Sequence, residues 1–459
     1  VSGSARPPEL ATVPVLPALI RLSLPVIGLN VLTVMALFVD TVMVGRLPDS
    51  ESALTGMGFS GQIAFLLMVL MIGVTVGSVA FVARAHGCGD RERVDHVVAQ
   101  SATVAVLLGL LITVVGNVFA VPILELLGAS GPDVVSSLEY LRPTLCFAAV
   151  NYLNILLAAV LRGVGNTRLP FQVAIGSNVL NVALNYVLIL GNLGMPAMGL
   201  TGAAIGTGLS QLASVVVLTV LLARGAEPAM QVRPRFAALD GAHVRDLLRI
   251  GAPAAVDMLV LNAGFLSIVG MLGRVDPLAV AAHGVGLRVQ ALAFVPGMSI
   301  SQAIGALVGQ ALGANDVARA KAVVRSGVGL CVVVMSTLAA VLVFGKAGIV
   351  SVFDINPAGP LGGYAMQWME LLGWCMPVVG VYIAFVGLFQ GSGATRTSLG
   401  INAAMTLLFQ IPLSYVLGFT LGMGTFGIWL AFPLSFVGKA VLGGVFVARG
   451  GWARTGASV

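Results

Sequence analysis

LPALIRLSLPVIGLNVLTVMALFVDTVMVG, residues 16–45, contains two charges, Arg21 near its start and Asp40 near its end. A helix needs about 20 apolar residues to cross a ~30 Å hydrocarbon core, so this stretch is long enough to span a bilayer with some tilt. A spanning strand would need about 10 residues of alternating pattern, and this run is longer and does not alternate. The whole chain has the same character: its 459 residues are 58% hydrophobic and 9% charged, where a soluble domain carries about 25% charged residues. The reading is therefore a polytopic all-α membrane protein.

Twelve spans are expected, six near 16–45, 53–83, 96–121, 134–160, 169–191 and 199–223, and six near 246–273, 279–312, 322–345, 363–390, 397–419 and 425–448. The loops alternate in charge. One set carries Arg84, Arg91, Arg93, Arg162, Arg168, Arg224, Arg233, Arg235, Arg245, Arg249, Arg319, Lys321, Arg325 and Arg396. The other carries Arg46, Arg274 and Lys346 among the acids Asp49, Glu51, Glu125, Asp133, Asp276 and Asp354. Positive loops face the cytoplasm, which puts both termini there, with Arg6, Arg21, Arg449 and Arg454. The start, VSGSARPPEL (1–10), lacks the basic-apolar-cleavage order of a signal peptide. The net charge of +6 is explained by this topology. No basic stretch interleaved with aromatics calls for a nucleic acid.

The chain repeats itself. LRGVGNTR (161–168) matches FQGSGATR (389–396) at an offset of 228, which also places Pro25 on Pro253, Gly45 on Gly273 and Arg46 on Arg274. Nearby offsets place Asp90 and Arg93 on Asp316 and Arg319. Six spans per repeat means that both repeats enter the membrane in the same sense. The expected division is an N-terminal lobe at 1–223, a cytoplasmic linker at 224–245 and a C-terminal lobe at 246–459.

An ionisable residue inside a span is functional by default. Asp40 lies roughly 8 Å deep, five residues before Gly45 at 1.5 Å per residue. It is either a coupling group or a helix-end carboxylate reaching for water. Asn30, Thr33, Leu37 and Asp40 share one helical face, and Asn178, Asn181 and Asn185 form a stripe on the fifth span. Those amides can hydrogen-bond a carboxylate or offer oxygens to a cation, or they can join helices. Thr201 and Thr207 open the sixth span. Protonation of Asp40 would remove a charge, and deprotonation would favour a cationic substrate. Pro25, on the same span, reads as a hinge or as a tolerated structural proline.

Other polar residues in the spans leave more open. Asp257, one turn after Pro253, is a second cation site or a group reaching the cytoplasmic interface. His283, Arg288 and Gln290 are candidates for contact with substrate or with each other, and Arg142 and Glu370 are candidates for a gate pair. Cys88, Cys146, Cys331 and Cys375 form no CxxC pair, and no metal site or disulfide is expected. Neither DDxxD nor HExxH occurs, so no enzyme is expected.

FVDTVMVGRL, RAHGCGDRERV, LRGVGNTRLP, NYVLILG with GLTGAAIGT, QALGANDVARA and FQGSGATRTS together resemble the multidrug and toxic compound extrusion (MATE) family, in order along essentially the whole chain. The resemblance implies two pseudo-symmetric six-helix bundles and efflux of cationic or amphipathic small molecules. H+ or Na+ would be the coupling ion, with no other cofactor, and the protein would be a lipid-embedded monomer of the plasma membrane. The DinF-like, H+-coupled branch carries an Asp on the first helix, Asn-x-x-x-Asp on the fifth and a Thr on the sixth. Asp40 and Asn181 match, Asn185 stands where that branch has its second Asp, and Thr201 is the nearest Thr. NYVLILG is closer to the NorM-like branch, but Leu261 and Val379 occupy the positions of that branch's acids. A flippase of lipid-linked precursors, from the same superfamily, is the alternative. It should carry several cavity Arg or Lys, where only Arg142 and Arg288 are candidates.

Overall fold

A computed structural model describes residues 13–230 and 239–454. Arg6, Arg233 and Arg235 of the charge pattern lie outside those residues. The fold is all-helical. The helices are α1 (Val15–Val44), α2 (Ser50–Gly87), α3 (Arg91–Leu126), the bent pair α4 (Pro132–Cys146 and Ala148–Gly163), α5 (Arg168–Leu190) and α6 (Gly199–Ala223). They continue with α7 (Gly241–Val275), α8 (Pro277–Gly313), α9 (Val317–Val352), α10 (Pro360–Ser392), α11 (Thr395–Thr420) and α12 (Gly424–Arg449). Eleven described helices can each cross a membrane, and the bent pair makes the twelfth span.

The 56° break in α4 divides the fourth expected span. Pro143 precedes it and has no N–H for the carbonyl of Glu139, four residues back. Thr201 of α6 donates to that carbonyl at 3.0 Å. α11 is irregular too, winding as π-helix over Ala404–Gln410 and again over Val416–Thr420.

The repeat acquires physical content at the helix ends. Asp90 and Asp316 cap α3 and α9, each accepting from the backbone N–H of the matched Arg93 or Arg319, at 3.0 and 2.8 Å. Gly165 and Gly393, also matched, turn the chain into α5 and α11 at φ +95 and +77, a left-handed backbone that favours glycine. The next matched pair, Thr167 and Thr395, is buried.

The described residues divide into two compact units, 28–230 with 239–252, and 13–27 with 253–454. The cuts fall inside α1, after Ile27, and inside α7, after Ala252. In the first unit α2 is the most enclosed span, while α3 is largely apolar surface suited to lipid. In the second, α8 and α10 are central, each 67% buried over its most apolar window. Gly387 and Gly391 of α10 meet the backbone of Ser301 and Gly305 of α8, a small-residue seam that brings two helices close without a hydrophobic driving force. Trp368, Trp429, Phe389 and Phe432 fill the core beside it.

Candidate functional site

The site in the first unit begins with a close approach of α5 and α6. Gly202 and Gly206 lie on one face of α6, where a methyl would meet the Leu188 carbonyl and the Asn185 side chain of α5, respectively. Glycine at both positions lets the helices close up and brings Thr207 to the amides of α5. α1 adds the acid. On its exposed side stand Met35, Leu37, Phe38 and Val42, while Asp40 turns inward and is 4% exposed.

Four side chains close a ring. The Asn185 amide donates to Asp40 Oδ1 at 2.5 Å and to Asn181 Oδ1 at 3.4 Å. The Asn181 amide donates to Thr207 Oγ1 at 3.1 Å, and that hydroxyl donates to Asp40 Oδ2 at 3.3 Å. Asp40 thus accepts two hydrogen bonds and has no ion-pair partner among the described residues. Burying a lone carboxylate is costly, and charge-assisted bonds offset part of the cost. Asn185 Oδ1 has no hydrogen-bond partner and faces Gly206. The ring can hold a proton on the carboxylate or present oxygen atoms to one monovalent cation. No group of three or more His, Cys, Asp or Glu among the described residues could hold a metal.

The other expected residues fall elsewhere. Thr201 serves the Glu139 carbonyl, and Thr207 takes the ring position. Asn178 is turned back onto the Ala174 carbonyl of its own helix at 2.8 Å. Of the face shared by Asn30, Thr33, Leu37 and Asp40, only Asp40 is buried, and Thr33 bonds the Leu29 carbonyl. Glu370 pairs with Lys346, at 2.5 Å, within the second unit, and Arg142, in the first unit, is exposed. His283 is fully buried against Trp368, with ring centroids 4.8 Å apart, and neither ring nitrogen has a partner. Gln290 is buried and Arg288 exposed, so His283, Arg288 and Gln290 form no common site. Pro25 lies within α1, just before the unit boundary.

Asp257 is buried, not reaching for the interface. It accepts from Ser398 Oγ at 2.9 Å and from the Asn402 amide at 2.7 Å, and Thr406 donates to Asn402 Oδ1 at 3.1 Å. Lys439 of α12 is 1% exposed in the same unit. Sequence reading passed over Lys439 and the Ser398–Asn402–Thr406 stripe. Both carried a signal: a lone lysine in an apolar span, and three polar residues at intervals of four.

The family model described as MatE matches residues 25–187 and 253–416. The "Probable multidrug resistance protein NorM" of Thermotoga maritima is 27% identical over 443 residues, covering 95% of this chain and 93% of the relative. The "Probable multidrug resistance protein YoeA" of Bacillus subtilis is 27% identical over 420 residues, covering 91% and 90%. A solved structure described as an outward-facing conformation of a multidrug resistance MATE family transporter of the MOP superfamily shares the fold, with a TM-score of 0.89 at 21% identity. That match covers 99% of this chain and 100% of the other.

Proposed function

This chain belongs to the MatE family, a family of transporters and not of enzymes, and from that premise we propose that it is a secondary active exporter of cationic and amphipathic small molecules, driven by antiport of protons. The observation that carries the reading is the closed ring around Asp40, a buried acid with no ion-pair partner among the described residues. An unpaired buried carboxylate exchanges one positive charge for another at low cost, because either a proton or a cationic substrate neutralises it. Charge compensation then makes the two exclusive. With Asp40 ionised, Asn185 and Thr207 hold the carboxylate in place while the cation binds. With Asp40 protonated, the cation is released.

Pro25 is the hinge in this reading. It removes one hydrogen bond from α1 just before the helix passes from one compact unit to the other, so bending there would move the Asp40 segment. In this reading the protein works as a monomer in the plasma membrane, and the loop charges support cytoplasmic termini. The relatives' names, multidrug resistance proteins from Thermotoga maritima and Bacillus subtilis, support the substrate class. Counter-flow in proteoliposomes, with a pH or a Na+ gradient imposed separately, tests the reading. Uptake driven by the pH gradient alone is expected. Uptake driven by the Na+ gradient alone assigns the ring's oxygens to Na+ and refutes proton coupling.

A further inference from the structure

The first turns of α7, up to Ala252, belong to the first unit, and they meet α2 in three rungs. A methyl on Gly251 would strike the Gly73 carbonyl, and a methyl on Gly77 would strike the Leu247 carbonyl. Further along α2, the Phe81 ring faces the His243 ring, with centroids 5.5 Å apart. The rungs pair 73 with 251, 77 with 247 and 81 with 243, one face of each helix, in antiparallel register. Ahead of the third rung, the Asp240 N–H donates to Gln100 Oε1 of α3 at 3.1 Å. Glycine in two rungs lets the backbones approach closely, and the third rung carries a titratable ring.

His243 has a second ring beside it. His96 of α3 is exposed and lies edge-on, 6.0 Å between centroids. His243 Nε2 is enclosed and has no hydrogen-bond partner. A neutral imidazole can carry its proton on Nδ1 and leave only a lone pair at Nε2. An imidazolium carries N–H at both nitrogens, so in this place it would bury a charged donor without an acceptor. The titratable and charged groups around the ring are His96 and Arg93 on α3, with Asp240 and Asp246 beside it in the chain, while α2 presents the apolar Phe81. Neither acid forms an ion pair with His243, and Asp240 Oδ1 accepts from the Ala242 N–H at 2.9 Å. Arg93 and a protonated His96 oppose a further positive charge. Once released to water, both nitrogens of His243 find partners, so the released segment accepts a proton more readily than the docked one. The repeat offset of 228 puts Val15 of α1 in the place of His243, packed against the core of the second unit, and valine does not titrate.

We propose that His243, set between Phe81 and His96, is a pH-sensitive latch that holds the first turns of α7 on α2 and α3 while it is neutral and releases them when it takes up a proton. Docking is then complete above the histidine range and is lost as the pH falls through it. The meaning for transport rests on the antiport reading above, since the loop charges put this segment in the cytoplasm, where antiport delivers its protons. The latch itself is tested without transport, by hydrogen–deuterium exchange of residues 241–252 in the full chain, corrected for the intrinsic pH dependence of exchange. The comparison is between about pH 8 and about pH 5, on either side of the ordinary histidine value of about 6.5. Because the released segment binds the proton and the docked one does not, protection falls by up to about tenfold for each pH unit below that value. His243→Phe keeps a ring in the rung without the charge, and its protection is the same at both pH values. The start of α1, with Val15 in the matched place, keeps its protection in both proteins. Equal protection of 241–252 at both pH values in the wild-type chain would overturn the proposal. So would a fall that survives His243→Phe, or one that the start of α1 shares. Should the larger ring not fold, His243→Leu takes its place with the same expected and refuting results.

Discussion

Gly206→Ala tests the ring without touching the acid. The new methyl overlaps Asn185 Oδ1, the one atom of that side chain with no hydrogen bond to hold it. Asn185 is therefore the group that moves, and its 2.5 Å bond to Asp40 is lost. A hydrogen bond to a charged group contributes about 1.5–3 kcal/mol, and each 1.4 kcal/mol is a factor of ten, so the substrate-accepting form of the site falls by about 10- to 150-fold. The assay is gradient-driven efflux from proteoliposomes at limiting substrate, with Gly58→Ala as control, because a methyl at Gly58 meets nothing within 4 Å. If the methyl acts through Asn185, Gly206→Ala combined with Asn185→Ala transports no worse than Asn185→Ala alone, since the two changes break one contact. Wild-type efflux by Gly206→Ala would refute the ring as a functional unit. Additive losses would show that the methyl acts by pushing α6 away from α5.

Thr201→Val removes the side-chain donor of the Glu139 carbonyl at the α4 break, an exposed hydrogen bond, so it lowers stability by about 0.5–1.5 kcal/mol in unfolding assays while efflux per folded molecule stays at the wild-type level. Lys346→Ala removes a partly exposed ion pair, with side chains 31% and 46% exposed, and changes stability by at most about 1 kcal/mol in the same assay. Efflux by that variant is unchanged; a large loss would restore a gating role to Glu370. Asp257→Asn combined with Lys439→Met keeps gradient-driven efflux, measured in proteoliposomes, because neither residue belongs to the Asp40 ring.

In a chain this apolar, polar residues inside spans stand out, which is why Asp40, Asn181 and Asn185 could be read before any coordinates. The spans were legible for the same reason. What could not be read was which polar group serves which. Thr201 and Thr207 lie on the same helix, and what separates them is a carbonyl freed by Pro143 on another helix. Asn178 belongs to the amide stripe by spacing, but its side chain is satisfied on its own helix. Glu370 was matched in sequence with Arg142, and the base beside it in its own unit is Lys346, a residue the sequence placed only in the loop-charge pattern. Lys439, a single charge within residues 425–448, carries the same sequence signal as Asp40.

The most direct measurement is proton-driven efflux by Asp40→Asn, reconstituted and checked for folding. The amide keeps the shape of the protonated acid and removes the exchangeable charge. The account predicts that the variant binds no cationic substrate competitively with protons and shows no efflux when a pH gradient is imposed. Efflux at the wild-type rate, with the wild-type pH dependence, would contradict it and leave Asp40 a structural acid.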